Sequence, residues 1–506
     1  MDRNISGKRT IGRKRIYTSE EEITSANVVD VLQKALEVHK ENREQIQKLE
    51  NYYLGDQEIL NRTATEVGEA NNQLVLNYAQ SIVRDIVGYT FGKDIEYITN
   101  NPDRIKDVEA LNKSLKYENS SLVDIITATY LSICGVGYQI VLQNEDFKKD
   151  TPEIAISMDY LKPEDTFAVH SYAIGNPIMM TCHYITLDTN ETIYYVYTNE
   201  KEFIITQNEN GDFSTTARNH LLLGNPISYF ENNQFLIGDF ESVMSLLDAI
   251  NKVSSDSVND VENFVHSLLV FVNASLGDTK EERDKVIAEI KKNRIIELLS
   301  PKGQPSDAKY IASQLNPQSV KELREYLEES LWKIVGLPDR KTRGGGGGDT
   351  GDAVKLRDGW ADIEVVARHK EKYFTNGKRN VLKVAIGLLQ TAGLVSKDIQ
   401  LYDVEPKFSR NKNDNILVKS QAYSNLINTK TLTPTTCLEV ANFTTNISDV
   451  AQNGEEYWRK MNIESVERQR EMGFVKDGEK KEPLEREKEN SEKIKQVGNV
   501  PNNFLK

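Results

Sequence analysis

Few residues in this chain have types and spacings that suggest chemistry, and the most concentrated group lies between positions 337 and 352. Arg340, Lys341 and Arg343 lead into Gly344, Gly345, Gly346, Gly347 and Gly348, and Asp349 and Asp352 follow. A glycine run has the least preferred backbone of any sequence, so this loop can follow the contour of a partner. Three cations on its shoulder suit weak, exchanging contacts with phosphates. The plain alternative is a flexible linker. A nucleotide-phosphate site is disfavoured, because the two aspartates sit where a helix is expected to begin and would repel the anion that a helix N-terminus attracts; they suit capping instead. The other candidates are weaker. Gly135-Val136-Gly137 lacks the third glycine and the preceding strand of a dinucleotide site and reads as a helix-to-strand turn. His170, His183 and His220 have neither metal-ligand nor triad spacing, and His369 stands among Arg368, Lys370 and Lys372 as a surface residue. Cys134, Cys182 and Cys437 are far apart, which fits a reducing compartment and no zinc site. With no Walker A, HExxH or nucleophile elbow, the expectation is a non-enzyme with no catalytic residue, cofactor or metal.

The elements that must carry that loop occupy a chain of 506 residues, too long for one compact core. A net charge of −14 argues against tight, sequence-independent binding of nucleic acid, which needs clustered Lys and Arg. No apolar run approaches the roughly 20 residues of a membrane span, and the N-terminus lacks the apolar core of a secretion signal. Residues 1–26, with Arg3, Lys8, Arg9, Arg13, Lys14 and Arg15, read as a disordered basic arm, and residues 463–506 as a disordered charged tail.

Between these ends the fold class reads as α+β, mainly helical. Apolar residues recur at helical spacing over 27–54, 74–87 and 122–133, and period-two stretches from 138 to 205 form an antiparallel sheet beside those helices. After Gly238 a long helix carries Val243, Leu247, Ile250, Val258, Val261 and Val265 on one stripe. Its other face, with Asp239, Asp248, Ser255, Asp256, Asn259 and Glu262, reads as acidic and uncrowded, either solvated or lining a channel. Residues 269–314 form a small αβ excursion, and 317–335 return as an apolar helix with Leu323, Leu327, Leu331 and Ile334. From 353 to about 389 the pattern is again helical, a rod of about 60 Å if unbroken, with a kink expected at Asn376-Gly377.

The order of these elements over residues 45–460 resembles portal proteins, the head-to-tail connectors of tailed double-stranded DNA bacteriophages, of the type found in long-tailed phages of Gram-positive hosts. The motifs that carry the likeness are Asn77 through Lys93, Leu161-Lys162-Pro163-Glu164, and Gly346-Gly347-Gly348-Asp349-Thr350-Gly351 ahead of a helix. The resemblance implies a ring, usually of twelve subunits, at one capsid vertex, through which DNA is packaged and ejected. It implies a wing from 27–238 and 353–414, stem helices at 239–268 and 315–336, a clip at 269–314, a tunnel loop at 337–352 and a helical crown at 415–462. Arg340, Lys341, Arg343 and Gly344 to Gly348 would face DNA, and Asp248, Asp256 and Glu262 would line the tunnel. Arg283, Lys291, Lys292 and Arg294 would form the clip's docking surface. Implied partners are further copies of the chain, double-stranded DNA, the large terminase, the head-tail adaptor, the scaffold and the major capsid protein, with no membrane. The implied location is the virion, with host cytoplasm during assembly. The purely glycine core of the loop departs from better-known members. Two other classes fit the same residues: a helical scaffold or adaptor that never touches DNA, and a nucleotide-dependent remodelling protein that would bind ATP.

Overall fold

The computed structural model describes residues 4–5, 9–63, 70–144, 147, 155–265, 268–272, 279–285, 307–311, 317–338, 360–410, 416–428, 433, 436–438, 454, 457, 459 and 460. Residues 1–412 form one compact unit and 413–506 a second. In the second unit, helix α8 spans Ile416–Asn428.

The first unit is built on two cores joined by helix α1, Val28–Leu54. The N-terminal half of α1 lays Val28, Val31, Leu32 and Ala35 against one face of a six-stranded sheet, where Phe167, Val169, Met180, Cys182, Val196, Phe203 and Ile205 are buried. That sheet runs β11-β10-β9-β8-β7-β3, with β3 Ile16–Thr18, β7 Thr166–Ser171, β8 Ile178–Thr186, β9 Thr192–Tyr197, β10 Lys201–Gln207 and β11 Phe213–Asn219. All neighbours are antiparallel except β3 with β7. The C-terminal half of α1 contributes Ile46, Leu49 and Tyr52 to the larger core. This core is shared by α2 Tyr78–Phe91, α3 Ile105–Tyr117, α4 Ser120–Cys134 and a sheet ordered β12-β5-β6, formed by β12 Ile227–Glu231, β5 Val136–Gln143 and β6 Ile156–Leu161. Into it also run the first turns of α5, Met244–Val265, the end of α6, Pro317–Val335, and α7, Trp360–Thr391, a helix about 48 Å long.

Between α5 and α6, β13 Leu268–Val272 pairs antiparallel with β14 Asp307–Ile311, and residues 280–285 are helical. The excursion thus closes on itself, with 307–311 as the partner of the apolar run.

Two expectations change. Residues 9–26 are an ordered part of the fold, not a disordered arm: Ile11, Ile16 and Ile23 are buried, and β3 extends the six-stranded sheet. The physical reason is that the basic residues find carboxylate partners far away in sequence. Helix α2 runs through Gly88 to Phe91, past the expected end at 87, so Tyr89, Thr90 and Phe91 are its last turn. Helix α7 continues through Asn376-Gly377 as one helix. The glycine serves packing, because a Cβ there would lie 2.3 Å from Cδ1 of the fully buried Phe230 ring.

Several elements were not expected, among them β3, β12 and β14, and two others show why. Strand β11 reads Phe-Ser-Thr-Thr-Ala-Arg-Asn and is exposed along almost its whole length, so it lacks an apolar alternation. Helix α3 buries only Val108, Leu111, Ser114 and Leu115, too narrow a stripe to stand out.

Candidate functional site

Helix α5 was expected to carry the channel-lining carboxylates on an uncrowded face. That face is crowded. An extended segment, residues 72–76, runs antiparallel along it, and its backbone N–H groups are taken one by one by side chains of the helix. Leu76 N–H donates to Asn251 Oδ1 at 2.8 Å, Leu74 N–H to Ser255 Oγ at 3.0 Å, and Asn72 N–H to Asn259 Oδ1 at 2.7 Å. Four helical residues rise about 6 Å and two extended residues about 6.6 Å, so the two repeats stay in step over three contacts. Asn251, Ser255 and Asn259 are buried by this pairing, which satisfies backbone donors that a sheet would otherwise take.

The three candidate lining residues are engaged as well, one by the same segment and two by its neighbours. Tyr52 Oη donates to Asp248 Oδ1 at 2.8 Å. Arg62 pairs with Asp256 at 2.5 Å, and Asn72 Nδ2 donates to Glu262 Oε2 at 2.7 Å. Asp248 and Asp256 are half-buried and Glu262 is exposed. The apolar stripe behaves in the opposite way. Its first turns, Val243, Leu247 and Ile250, are buried in the core, but Val258 is 39% and Val261 70% exposed. On α6, Leu331 is fully buried while Leu323 is 49% and Tyr326 66% exposed. Towards their far ends, both helices present apolar side chains that the single chain leaves open.

At its near end, α5 is fixed by two carboxylates, partly buried Asp239 and buried Glu241. Asp239 accepts from Ser132 Oγ at 2.5 Å and Asn232 Nδ2 at 2.9 Å, and pairs with Lys370 of α7 at 2.7 Å. Glu241 holds Arg13 and accepts from the N–H groups of Gly12 and Gly238. One further buried pair, Lys378 with Asp124 at 2.5 Å, ties α7 to α4. Burial raises the Asp124 carboxyl above the usual carboxylate range, even with Lys378 and Gln139 opposing that shift.

Arg283 lies in the short helical stretch at 280–285 and is exposed. Lys291, Lys292, Arg294, Arg340, Lys341, Arg343, Gly344, Gly345, Gly346, Gly347 and Gly348 lie outside the described residues.

The histidines are engaged within the sheet: His170 Nδ1 lies 3.0 Å from the Asn176 carbonyl, His183 Nδ1 2.9 Å from Thr166 Oγ1 and His220 Nε2 3.1 Å from the Thr198 carbonyl. Burial pushes the Cys134 thiol up to about 12, far from a reactive thiolate. Among the described residues no three His, Cys, Asp or Glu groups are placed to hold a metal ion, and no helix is long and apolar enough to cross a membrane.

Helices α5 and α6, with the β13–β14 pair between them in sequence and the longer α7 following, thus belong to one α+β unit. The chain belongs to the family described as "Phage portal protein, SPP1 Gp6-like", whose model matches residues 32–495. No curated protein matches it. Among solved structures, one described as the neck of an empty GTA particle, computed with C6 symmetry, is 13% identical, with a TM-score of 0.44 over 72% of this chain and 90% of that one.

Proposed function

We propose that the chain assembles with copies of itself into a closed ring of twelve at the capsid's portal vertex, and that double-stranded DNA passes through the bore during packaging and ejection. The observation that carries this reading is the open apolar stripe of α5 and α6, Val258, Val261, Leu323 and Tyr326, in a chain of the portal family. Isolated exposed apolar residues need no explanation, but a stripe continuous with a buried one calls for a covering surface. A neighbouring subunit in a ring supplies it. In this reading α5 and α6 are the stem, the excursion from 269 to 314 is the clip, residues 337–352 are the tunnel loop and 415–462 the crown. The body before Gly238 and helix α7 form the wing.

The chemistry then divides along the bore. Although residues 72–76, Tyr52 and Arg62 engage this face, Asp248, Asp256 and Glu262 set three carboxylates against the one guanidinium of Arg62, and the negative charge left over disfavours phosphate binding. Arg340, Lys341 and Arg343 give each subunit three exchangeable phosphate contacts, and the glycines let the loop follow a duplex that does not share the ring's symmetry. Arg283, Lys291, Lys292 and Arg294 on the clip dock the large terminase and later the head-tail adaptor. The scaffold and the major capsid protein contact the outer ring during assembly in the host cytoplasm. The portal itself is no enzyme; the terminase supplies the energy.

The test is Arg340→Ala, Lys341→Ala and Arg343→Ala together. Ring formation is expected to be unchanged while the amount of DNA packaged, or retained after packaging, falls. Normal packaging and retention by this variant would remove the DNA-touching role of the loop.

A further inference from the structure

The N-terminal strap, residues 11–18, is held almost entirely by polar contacts to segments far away in sequence. Gly12 has a left-handed backbone (φ 80°), and a Cβ there would sit 2.4 Å from the Phe235 carbonyl oxygen. The strap therefore lies directly on the turn that opens α5. Arg13 N–H donates to the Leu236 carbonyl at 3.2 Å. The Arg13 and Glu241 side chains, 2% and 3% exposed, form a buried ion pair, and Gly12 N–H donates to the same carboxylate oxygen at 2.9 Å. Lys14 exchanges two bonds with buried Asn42 of α1, its N–H donating at 2.8 Å and its carbonyl accepting at 2.8 Å. Lys14 also pairs with Glu41 at 2.5 Å and Arg15 with Glu231 at 2.8 Å. The apolar anchors are few, buried Ile11 and Ile16 and the Tyr17 ring stacked on Tyr172 at 5.0 Å, and β3 is a three-residue edge strand.

Such a grip is a poor stabiliser and a good register device. A buried ion pair loses most of its Coulomb gain to desolvation, and its best-attested use is to fix one arrangement among alternatives. Here Nε and Nη1 of Arg13 find no hydrogen-bond partner among the described residues, which lowers the net value of docking further. Two residues before Glu241, Asp239 is held by Ser132, Asn232 and Lys370, all on elements of the large core. The base of α5 is therefore held by Asp239 and by buried Val243, Met244 and Leu247 on the core side, and by a separable strap at Glu241.

We propose that residues 11–18 are a latch on the start of α5: docked, they hold its first turns in one orientation through Glu241, and released, they leave the stretch from Gly238 to Leu247 held only by Asp239 and by its buried apolar side chains, so that it opens more readily. The N-terminal residues thereby become a handle on the helix. This inference stands on the geometry of the single chain and does not require the ring.

Native-state hydrogen exchange on the full chain, at graded low denaturant, tests it directly. The expected result is that residues 11–18 and the segment from Gly238 to Leu247 lose protection together, in one opening event below the global unfolding of β8, β9 and β10. Arg13→Gln is expected to speed exchange in those two segments by roughly tenfold or more while the sheet is unchanged, and Arg13→Lys to restore part of the protection. Opening of the strap without α5, or loss of both only with the whole molecule, overturns the latch. An Arg13→Gln chain that exchanges like the wild type, or that loses protection uniformly, overturns it as well.

Discussion

At the scale of single residues, burial decides what each group can do. His39 of α1 is the clearest case: it is 2% exposed, stacks near Phe167, and its Nε2 donates to the Glu164 carbonyl at 2.9 Å. Burial pushes its pKa down to about 4, and the nearby Arg43 acts in the same direction against the bond to Glu164. Its folded value is therefore below that of the unfolded chain, and the unfolded state binds the extra proton between about pH 6.5 and 4. Stability should be full above pH 6.5 and fall as pH drops through that window, by about 3 kcal/mol from this residue. His170 and His183, lowered by burial too, add in the same direction. Urea midpoints at several pH values for wild type and His39→Gln check it: the variant should show a shallower acid slope, and an identical slope would remove His39 as a source.

A second residue-scale prediction contrasts two glycines of α7. Gly377→Ala should destabilise by about 1–3 kcal/mol, seen as a lower melting temperature, because the Phe230 ring opposite it is fully buried and cannot yield. Gly387→Ala meets the side chain of Leu223, which is 55% exposed and can move, so the helical gain of alanine should leave stability unchanged or slightly raised.

Elements show where sequence and structure part company. The apolar periods of α1, α2, α4, α5 and α6 were legible because a stripe every three or four residues is written in side-chain type. The zipper between α5 and residues 72–76 was not, because Asn251, Ser255 and Asn259 act on backbone groups of a segment nearly two hundred positions earlier. The same four-residue spacing, polar instead of apolar, was the available signal. Likewise the basic residues at 13–15 read as a solvated arm until Glu241, Glu41 and Glu231 came beside them in space. The anchoring of α7 was hidden for the same reason, since Lys370 and Lys378 look like surface lysines in a helical pattern. The Lys378–Asp124 pair makes the test: Asp124→Ala leaves a buried ammonium without its partner and should cost about 3–5 kcal/mol in urea unfolding. The double variant Asp124→Leu with Lys378→Met should recover most of it, and equal losses in both would show that charge is not what the site needs.

At the scale of the whole molecule, the order of elements carried more than any motif. Family membership was readable from residues 45–460, because a body, two long helices around an excursion and a third long helix recur in that sequence order. Charge placement was less readable: the carboxylates of α5 are paired in the chain, and their electrostatic effect rests on what Arg62 leaves uncompensated. The open apolar stripe on α5 and α6 is the feature one subunit cannot explain on its own. Negative-stain electron microscopy with mass measurement on one sample, prepared with the cognate scaffold protein, therefore decides whether copies of the chain cover that stripe. Closed rings of twelve with a bore wide enough for duplex DNA are expected, lost in a Val258→Asp, Val261→Asp chain that still folds. Monomers throughout, or rings that survive that substitution intact, would show that copies do not cover the stripe.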